Sequence, residues 1–305
     1  MQDNKTNLSA TEKINPNTVN IDISETEQIV EMINAEDFNA VKAVQKCIPE
    51  IAKAADIIAE NFNNGGRLIY FGAGTSGRLG VLDASECPPT FSAPQGMVVG
   101  RIAGGDYALR NAIEGAEDDP IAAEKDFNEL EINGNDTITA ISASGNAAYV
   151  VRVLELGKQK GCKTIAVTSN INAKTKPFAD VFICAETGAE VISGSTRMKA
   201  GTAQKLILNM LTTTAMIKIG KVYKNYMIDV KPTNEKLKIR AAKITSQIAE
   251  TDEITAENEL KQNGYKIKPA ILKLKYGIEL AKAEEILKQN KGILRKVFEQ
   301  IEKEN

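Results

Sequence analysis

The stretch that decides the fold lies between Arg67 and Thr90 and reads RLIYFGAGTSGRLGVLDASECPPT. A short apolar run precedes three glycines, Gly72, Gly74 and Gly77, which fit the spacing G-x-G-x-x-G. That spacing is typical of a strand that turns tightly into a helix whose free amide groups receive a phosphate. The stretch therefore predicts one strand–helix unit of an α/β fold, with an anion site where the strand ends.

Four further apolar runs follow the same pattern, and each is bounded by Gly, Ser or Asn. Strands that are apolar on both faces and joined by long crossovers form a parallel sheet that helices cover on both sides. We therefore predict a doubly wound α/β fold with five parallel strands. The five runs are RLIYFGAG (67–74), MVVGRIAGG (97–105), DTITAISASG (136–145), KTIAVTSN (163–170) and DVFICAET (180–187).

Helical patterns flank the predicted sheet in the sequence. Apolar residues recur at helical spacing from Glu25 to Phe62, with Pro49 as a break or a helix start. TAQKLILNMLTTTAMIKIG (202–220) predicts a long apolar helix, and three more helical segments follow at 252–262, 267–275 and 280–290. The predicted domains are an N-terminal helical lead-in (1–62), an α/β domain (63–233) and a small C-terminal helical bundle (234–305).

The composition bounds what this protein can bind. The 305-residue chain is 43% hydrophobic and carries 38 Lys and Arg against 40 Asp and Glu, a formal net charge of -2. This balance supplies no global positive field, so we expect neither nucleic acid nor a membrane surface as a partner. The polar start MQDNKTNLSATEKINPN lacks the apolar core of a secretory signal, and no stretch approaches the ~18 apolar residues of a membrane span. We therefore expect a cytoplasmic protein.

The chain contains no histidine. Ser-His-Asp and Cys-His catalysis are therefore excluded, as is any metal site built on imidazole. Cys47, Cys87, Cys162 and Cys184 show no C-x-x-C spacing, which favours reduced thiols over a zinc site or a disulfide framework. We expect neither a metal nor a cofactor, and any proton transfer near neutral pH must use carboxylates, lysines, tyrosines or thiols.

Hydroxyl side chains gather where the predicted strands end, which is where ligands bind in an open parallel sheet. Hydroxyls from several loops suit a compact phosphomonoester, although helix capping is the alternative for any one loop. A dinucleotide fits poorly, because its ribose acid is expected about 20 residues after the glycines and Asp106 follows Gly77 by 29. The candidate ligands are Thr75 and Ser76 after the first strand, Ser142, Ser144 and Gly145 after the third, and Ser195 after the fifth.

Several segments together resemble known families. GAGTSGRLG (72–80) followed by ISASG (141–145) resembles the sugar isomerase (SIS) domain, which binds phosphosugars. A second likeness is carried by DASECPPTF (83–91), IAGGDYALRNAIEGAEDD (102–119), GSTRMKAGTAQKLILNML (194–211) and MIDVKPTNEKLKIRA (227–241). These segments resemble the N-acetylmuramic acid 6-phosphate etherase family, and the likeness runs from TEKINPNT (11–18) to the helical tail, which in that family is a ubiquitin-associated-like bundle.

Two positions depart from the pattern of these families. Ala147 stands where SIS loops commonly carry a Thr that helps to hold phosphate, and Lys13-Ile14 stands where an Arg precedes Asn-Pro. The first departure removes one candidate phosphate ligand. Neither touches the acidic residues.

The resemblance implies a reaction, the cleavage of the lactyl ether at C3 of N-acetylmuramic acid 6-phosphate. Once the sugar ring opens, one carboxylate can remove the C2 proton while a protonated carboxyl helps lactate to leave. Glu86 and Glu117 match the family's two essential acids, and Glu114 is a further candidate sugar ligand. We predict that Glu86 is the acid, because Pro88-Pro89 should end its helix, and a carboxyl in the last turn has its pKa raised by the macrodipole. Glu117 is then the base.

Helix length predicts the assembly. Ser76 and Glu86 are ten residues apart, about 15 Å along a straight helix at ~1.5 Å per residue. A hexose 6-phosphate does not span that distance comfortably, so either the helix bends near Asp83 or Glu86 serves the phosphate site of a second subunit. SIS domains are usually dimers, and we predict a homodimer with active sites at the interface.

Other functions stay open at this point. A phosphosugar-sensing regulatory protein resembles the etherases but lacks the acid of DASECPPT, so Glu86 favours an enzyme. An aldose–ketose isomerase often uses a histidine to open the ring, and this chain has none. A dehydrogenase is a further alternative, and only the spacing of Gly72, Gly74 and Gly77 supports it.

Overall fold

A computed structural model describes residues 10–230, 232 and 234–304. Within the segment 227–241 that carries part of the resemblance, Lys231 and Thr233 lie outside the described residues, as does the predicted domain boundary at 233. The chain divides into two compact units. The α/β unit comprises the described residues up to Ser85 together with Gly96–Thr212, and the helical unit comprises Glu86–Gln95 with the described residues from Thr213 onward.

The α/β unit is built on five parallel strands in the order β2-β1-β3-β4-β5, which confirms the predicted fold class. All five predicted apolar runs are strands. Every residue of the first and third strands is buried, as a central position in a covered parallel sheet requires. The strands are β1 (Leu68–Gly72), β2 (Val98–Ile102), β3 (Thr137–Ile141), β4 (Lys163–Thr168) and β5 (Val181–Cys184).

Helices cover both faces of this sheet. Phe71 of β1 joins an apolar cluster with Phe127 and Tyr149, and its ring lies 6.3 Å from each of theirs. Tyr70, the preceding residue, points to the other face and donates a hydrogen bond to Asp83 (3.0 Å). The helices that begin in this unit are α1 (Thr26–Gln45), α2 (Ile48–Asn63), α3 (Gly74–Phe91), α4 (Gly105–Ala108), α5 (Pro120–Glu129), α6 (Ala148–Gln159) and α7 (Lys199–Lys218).

The two prolines of DASECPPT do not end their helix, which corrects one prediction. Helix α3 continues through Pro88 and Pro89 to Phe91. The prolines lie in its final turn, and their missing amide donors affect the carbonyl groups of Ala84 and Ser85, one turn earlier. Glu86 therefore lies about one turn earlier than the predicted last-turn position, and the macrodipole argument for its role is weaker. The other proline prediction is confirmed, because Pro49 lies in the first turn of α2.

The glycine spacing of the opening stretch has a packing cause. A Cβ on Gly72 would lie 2.7 Å from the amide nitrogen of Gly77, and a Cβ on Gly77 would lie 2.6 Å from Cγ1 of Ile102. No real side chain tolerates such distances, so the first turn of α3 can approach β1 and β2 only through glycine. The motif thus reflects a tight strand–helix junction, with or without a dinucleotide.

The helical unit contains the predicted tail helices and two that the periodicity did not separate. The segments predicted at 252–262, 267–275 and 280–290 are helices, and the first two end beside Asn263-Gly264 and at Gly277. One apolar cluster, including Leu260, Ile271 and Val297, forms its core. Its elements are the hairpin β6 (Val222–Tyr223) and β7 (Tyr226–Met227), then α8 (Glu235–Ala249), α9 (Glu253–Gln262), α10 (Ile267–Tyr276), α11 (Leu280–Gln289) and α12 (Leu294–Glu304).

Among the helices within residues 10–230, 232 and 234–304, none is both long enough and apolar enough to cross a bilayer. Cys47, Cys87, Cys162 and Cys184, which all lie in the described part of the chain, are thiols and are not joined in disulfides.

Candidate functional site

The strand register brings the predicted hydroxyl loops together. The last residue of β1, Gly72, pairs with Ile102 of β2 and with Ile141 of β3. The loops that leave these three strands therefore emerge side by side at the carboxyl edge, beside the point where the strand order reverses. Thr75 and Ser76 lie in the first turn of α3, directly after β1, and Ser142 and Ser144 lie on the loop after β3.

The loop after β3 turns its hydroxyl oxygens toward its own backbone. Ser142 Oγ accepts from the amide of Gly145 (3.1 Å), and Ser144 Oγ accepts from the amide of Asn146 (3.2 Å). These bonds use lone pairs, and the two hydroxyl oxygens lie 3.4 Å apart, so that one hydroxyl can donate to the other. At least one hydroxyl hydrogen then stays available to an acceptor such as a phosphate oxygen. Neither serine caps the following helix, because the N-cap of α6 is Ala147, which makes no side-chain capping bond.

Gly145 is required for a steric reason as well as a conformational one. Its φ is +64°, and a Cβ there would lie 2.4 Å from Cβ of Ala173 and 2.9 Å from Oγ1 of Thr168. The loop after β3 can therefore lie against the loop after β4 only with glycine at this position. Packing alone accounts for Gly145, whatever it binds.

The start of α3 lies against the start of α7. Ser76 is buried, and its hydroxyl donates to Oε1 of Gln204 on α7 (2.9 Å). A Cβ on Gly201 would lie 3.3 Å from Cγ2 of Thr75, so the two helices approach closely where both begin. Gln204 is buried and was missed by sequence reasoning, although it lies inside the segment GSTRMKAGTAQK that carried the resemblance.

The loop that leads into α7 carries Ser195, which is half-buried, and the N-terminal segment holds this loop. Ser193 Oγ donates to the carbonyl oxygen of Glu12 (3.0 Å), and Thr18 Oγ1 donates to that of Val191 (2.8 Å). Asn15 Nδ2 donates to the carbonyl oxygen of Ala189 (3.2 Å). The segments TEKINPNT and GSTRMKAG are thus neighbours in the fold, although about 180 residues separate them along the chain.

The acidic segment after β2 forms a cavity of about 200 Å³ with the glycine loop. Glu114 and Glu117 both line it, with Gly74 and Arg78 on the other side. Glu117 lies in a 3-10 turn (Ala116–Asp118), and both glutamates are exposed. Two of the predicted carboxylates and the predicted anion loop therefore share one cavity of the α/β unit.

Arg78 fixes the backbone of this acidic segment. Its Nη2 donates to the carbonyl oxygens of Ala108 (2.7 Å) and Asn111 (3.1 Å), and its Nε donates to that of Leu109 (3.0 Å). The rigid guanidinium fork suits several carbonyls in one plane, which the single ammonium of lysine does not. Sequence reasoning did not select Arg78, because its carbonyl partners lie 30 or more residues away along the chain.

Glu86 belongs to the helical unit, where its side chain is exposed on α3. Contacts within the helical unit therefore hold the segment Glu86–Gln95 in place. Its neighbour Cys87 is buried, as is Phe91 at the end of the helix.

A buried ion pair lies in the α/β unit outside the predicted set. Lys199, at the start of α7, bonds Glu36 of α1, and both residues are at least 95% buried. Burial alone would raise the pKa of the Glu36 carboxyl, but hydrogen bonds from Lys199 and Asn17 lower it to about 2. Glu190 accepts from the amides of Lys199 and Ala200 (2.9 Å each) and so caps α7. Burial raises the pKa of Glu190.

Two models of SIS domains match parts of this chain. A model described as the glucokinase regulatory protein N-terminal SIS domain matches residues 50–158, and a SIS domain model matches residues 120–214. Among solved structures, a phosphoheptose isomerase from Neisseria gonorrhoeae is 17% identical with a TM-score of 0.46, over 64% of this chain and 98% of that chain.

Two relatives match nearly the whole chain. An N-acetylmuramic acid 6-phosphate etherase of Serratia proteamaculans is 47% identical over 291 residues, which cover 95% of this chain and 98% of the relative. An N-acetylmuramic acid 6-phosphate etherase of Actinobacillus pleuropneumoniae is 48% identical over 288 residues, which cover 94% of this chain and 95% of the relative. With this identity across both units, the chain belongs to the N-acetylmuramic acid 6-phosphate etherase family.

Proposed function

We propose that this protein is a carbon–oxygen lyase that cleaves the lactyl ether of N-acetylmuramic acid 6-phosphate. The products are N-acetylglucosamine 6-phosphate and D-lactate, and the reaction serves cell-wall recycling. The observation that carries the proposal is 47% identity to a protein named as this etherase over 95% of the chain. The cavity between the glycine loop and the paired glutamates supports it.

The proposed mechanism is an elimination followed by a hydration. With the sugar ring open, Glu117 takes the proton from C2. The electron pair of the broken C2–H bond forms the C2–C3 double bond as the C3–O bond breaks. The protonated carboxyl of Glu86 gives its proton to the departing lactate oxygen. Water then adds across the double bond, with its oxygen on C3 and a proton on C2, and the product regains its hydroxyl. Glu114 lines the same cavity as Glu117 and is proposed to bind the sugar.

The phosphate is proposed to lie at the carboxyl edge of β1 and β3. Ser142 and Ser144 accept from backbone amides, and at least one of their two hydroxyls, which lie 3.4 Å apart, retains its hydrogen to donate to a phosphate oxygen. Thr75 and Ser195 are the other proposed ligands. Ser76 already donates to Gln204, so its share in phosphate binding depends on that partner.

Two further features are proposals about the assembly and its location. Helix α3 is one continuous helix from Gly74 to Phe91, which favours a second subunit over a bend as the way to bring Glu86 to a phosphate site. We therefore propose a homodimer with shared sites. Measurement of the mass of the protein in solution tests whether it is a dimer. A cytoplasmic location is proposed as well.

The decisive experiment is to incubate the purified protein with N-acetylmuramic acid 6-phosphate and to assay D-lactate, with N-acetylmuramic acid as the matched control that lacks the phosphate. We expect release from the phosphorylated sugar alone, unaffected by a chelator. Tight binding of the phosphosugar with no lactate would identify a phosphosugar-sensing regulator instead. Release that a chelator abolishes and zinc restores would contradict the carboxylate mechanism.

A further inference from the structure

The segment that carries Glu86 is anchored inside the helical unit. Residues Glu86–Gln95 group with this unit, and Ser92 Oγ donates a hydrogen bond to the carbonyl oxygen of Asp229. Ser92 follows Glu86 by six residues and has a left-handed φ of 48°, so the chain turns sharply there. The anchor thus lies just beyond the end of α3.

Helix α3 needs support near Glu86 because two of its backbone donors are missing. Pro88 and Pro89 have no amide hydrogen, so the carbonyl groups of Ala84 and Ser85 lose their helical donors. A helix end with this defect frays more readily than a regular one. The position of Glu86 therefore depends on contacts made after the helix.

The anchor residue Asp229 is itself held by a buried lysine. Lys268 is 8% exposed, and its Nζ donates to the Asp229 carboxylate (3.0 Å) and to the carbonyl oxygens of Gly220 (2.9 Å) and Gly292 (2.8 Å). These bonds use all three ammonium hydrogens. Lys221 also approaches Asp229 Oδ2 (3.1 Å). Lys268 therefore connects α10 to the chain after α7, to the turn between α11 and α12 and to the residue that binds Ser92.

The apolar core of the bundle does not itself require a buried ammonium group at this position. The apolar cluster of α8, α10, α11 and α12 packs around residues such as Ile271 and Val297 without using Lys268. Burying an ammonium group is costly, and a nonpolar side chain of similar length would avoid that cost. What a nonpolar residue cannot do is hold Asp229.

We propose that Lys268 is a positioning residue for Glu86 and that the helical tail serves the reaction through the chain Lys268–Asp229–Ser92. The inference rests on the proposed function, because it takes Glu86 as the acid that releases lactate. The tail then acts on the catalytic step, and phosphate binding, which belongs to loops of the α/β unit, is independent of it.

The test compares Lys268→Met with Lys266→Met in the full-length protein. Lys266 is an exposed lysine two residues away whose side chain pairs with Glu284, so it controls for loss of one positive charge. Lys268→Met should lower kcat for lactate release by about 10- to 100-fold, because small displacements of catalytic groups cost that much. The KM should stay within about twofold of wild type, and Lys266→Met should change neither.

A second variant and a second measurement keep the outcome clear. Ser92→Ala removes the last link while leaving the bundle intact, and it should also lower kcat without raising KM. Hydrogen exchange of the amides in residues 86–95 should quicken in both variants, and this readout needs no activity. Unchanged kcat and unchanged exchange in Ser92→Ala would overturn the proposal. Absence of lactate release by the wild-type protein would instead overturn the proposed function, while the exchange measurement would still test the anchor.

Discussion

Two buried lysines, one in each unit, have different partners for their ammonium groups. Lys199 of the α/β unit is 1% exposed and pairs with Glu36, a carboxylate that is almost as deeply buried. Lys268 of the helical unit donates to two backbone carbonyls and to Asp229, whose side chain is 24% exposed. Burial lowers the pKa of Lys268, whereas Lys199 holds the pKa of Glu36 near 2.

The difference separates two uses of a buried charge. The Lys199–Glu36 pair joins α7 to α1, and each charge would be left uncompensated if the other were removed. Lys268 donates to two carbonyl groups and to Asp229, and Asp229 also pairs with Lys221. Removal of Lys268 therefore leaves no buried carboxylate without a cation. We therefore expect the first lysine to control folding stability and the second to control local position.

The largest expected effect concerns the carboxylates that the two units carry, Glu117 in one and Glu86 in the other. Each change to Gln should lower lactate release by about 10²- to 10⁴-fold, as for other general acids and bases. In heavy water, Glu86→Gln should still exchange deuterium into C2 of N-acetylglucosamine 6-phosphate, because proton removal there needs no leaving group. Glu117→Gln should do neither. Exchange that survives in Glu117→Gln and vanishes in Glu86→Gln would reverse the proposed roles.

The next effect sharpens the contrast at Lys199. Lys199→Met should lower the free energy of unfolding by about 3–5 kcal/mol, because it leaves Glu36 buried without its cation. The double change Lys199→Met with Glu36→Met should recover most of that loss, since no charge is then stranded. Urea unfolding at pH 7 gives both values. A double variant no more stable than Lys199→Met would show that the pair is not coupled.

Acid should affect the same pair. The pKa of Glu36 in the folded protein is about 2, against an ordinary value of 4.5. The contribution of the pair to the free energy of unfolding is therefore complete above pH 4.5 and is lost as the pH falls toward 2. By pH 3 the loss should be on the order of 2 kcal/mol. Comparing unfolding at pH 5 and pH 3 for wild type and Glu36→Gln checks this. Equal slopes in the two proteins would contradict it.

The smallest effect on stability is expected at Lys268. Lys268→Met should lower the free energy of unfolding by on the order of 1–2 kcal/mol, because it leaves two carbonyls without donors while Asp229 keeps Lys221. The measurement is urea unfolding beside Lys199→Met. A loss as large as that of Lys199→Met would erase the distinction between the two lysines.

The sequence predicted the fold closely where periodicity and turn residues agree. All five strands, the long α7 and the tail helices α9, α10 and α11 follow from apolar patterns bounded by Gly, Ser or Asn. The end of α3 was predicted wrongly, because proline is a reliable helix breaker only in the interior and tertiary packing tolerates it in a final turn. The predicted domain boundaries and the roles of Glu86, Glu117 and the hydroxyl ligands stay predictions.

Local sequence by itself determined which residues form the strands and the phosphate-type loops, because side-chain periodicity and glycine conformation act within a few residues. It also determined, through the absence of histidine, that proton transfer depends on other groups. Only the tertiary structure decided that Gln204 receives the Ser76 hydroxyl, that Arg78 fixes the acidic segment and that Lys268 reaches Asp229. These bonds join residues 30 or more positions apart, and their energies depend on burial, which no local pattern encodes.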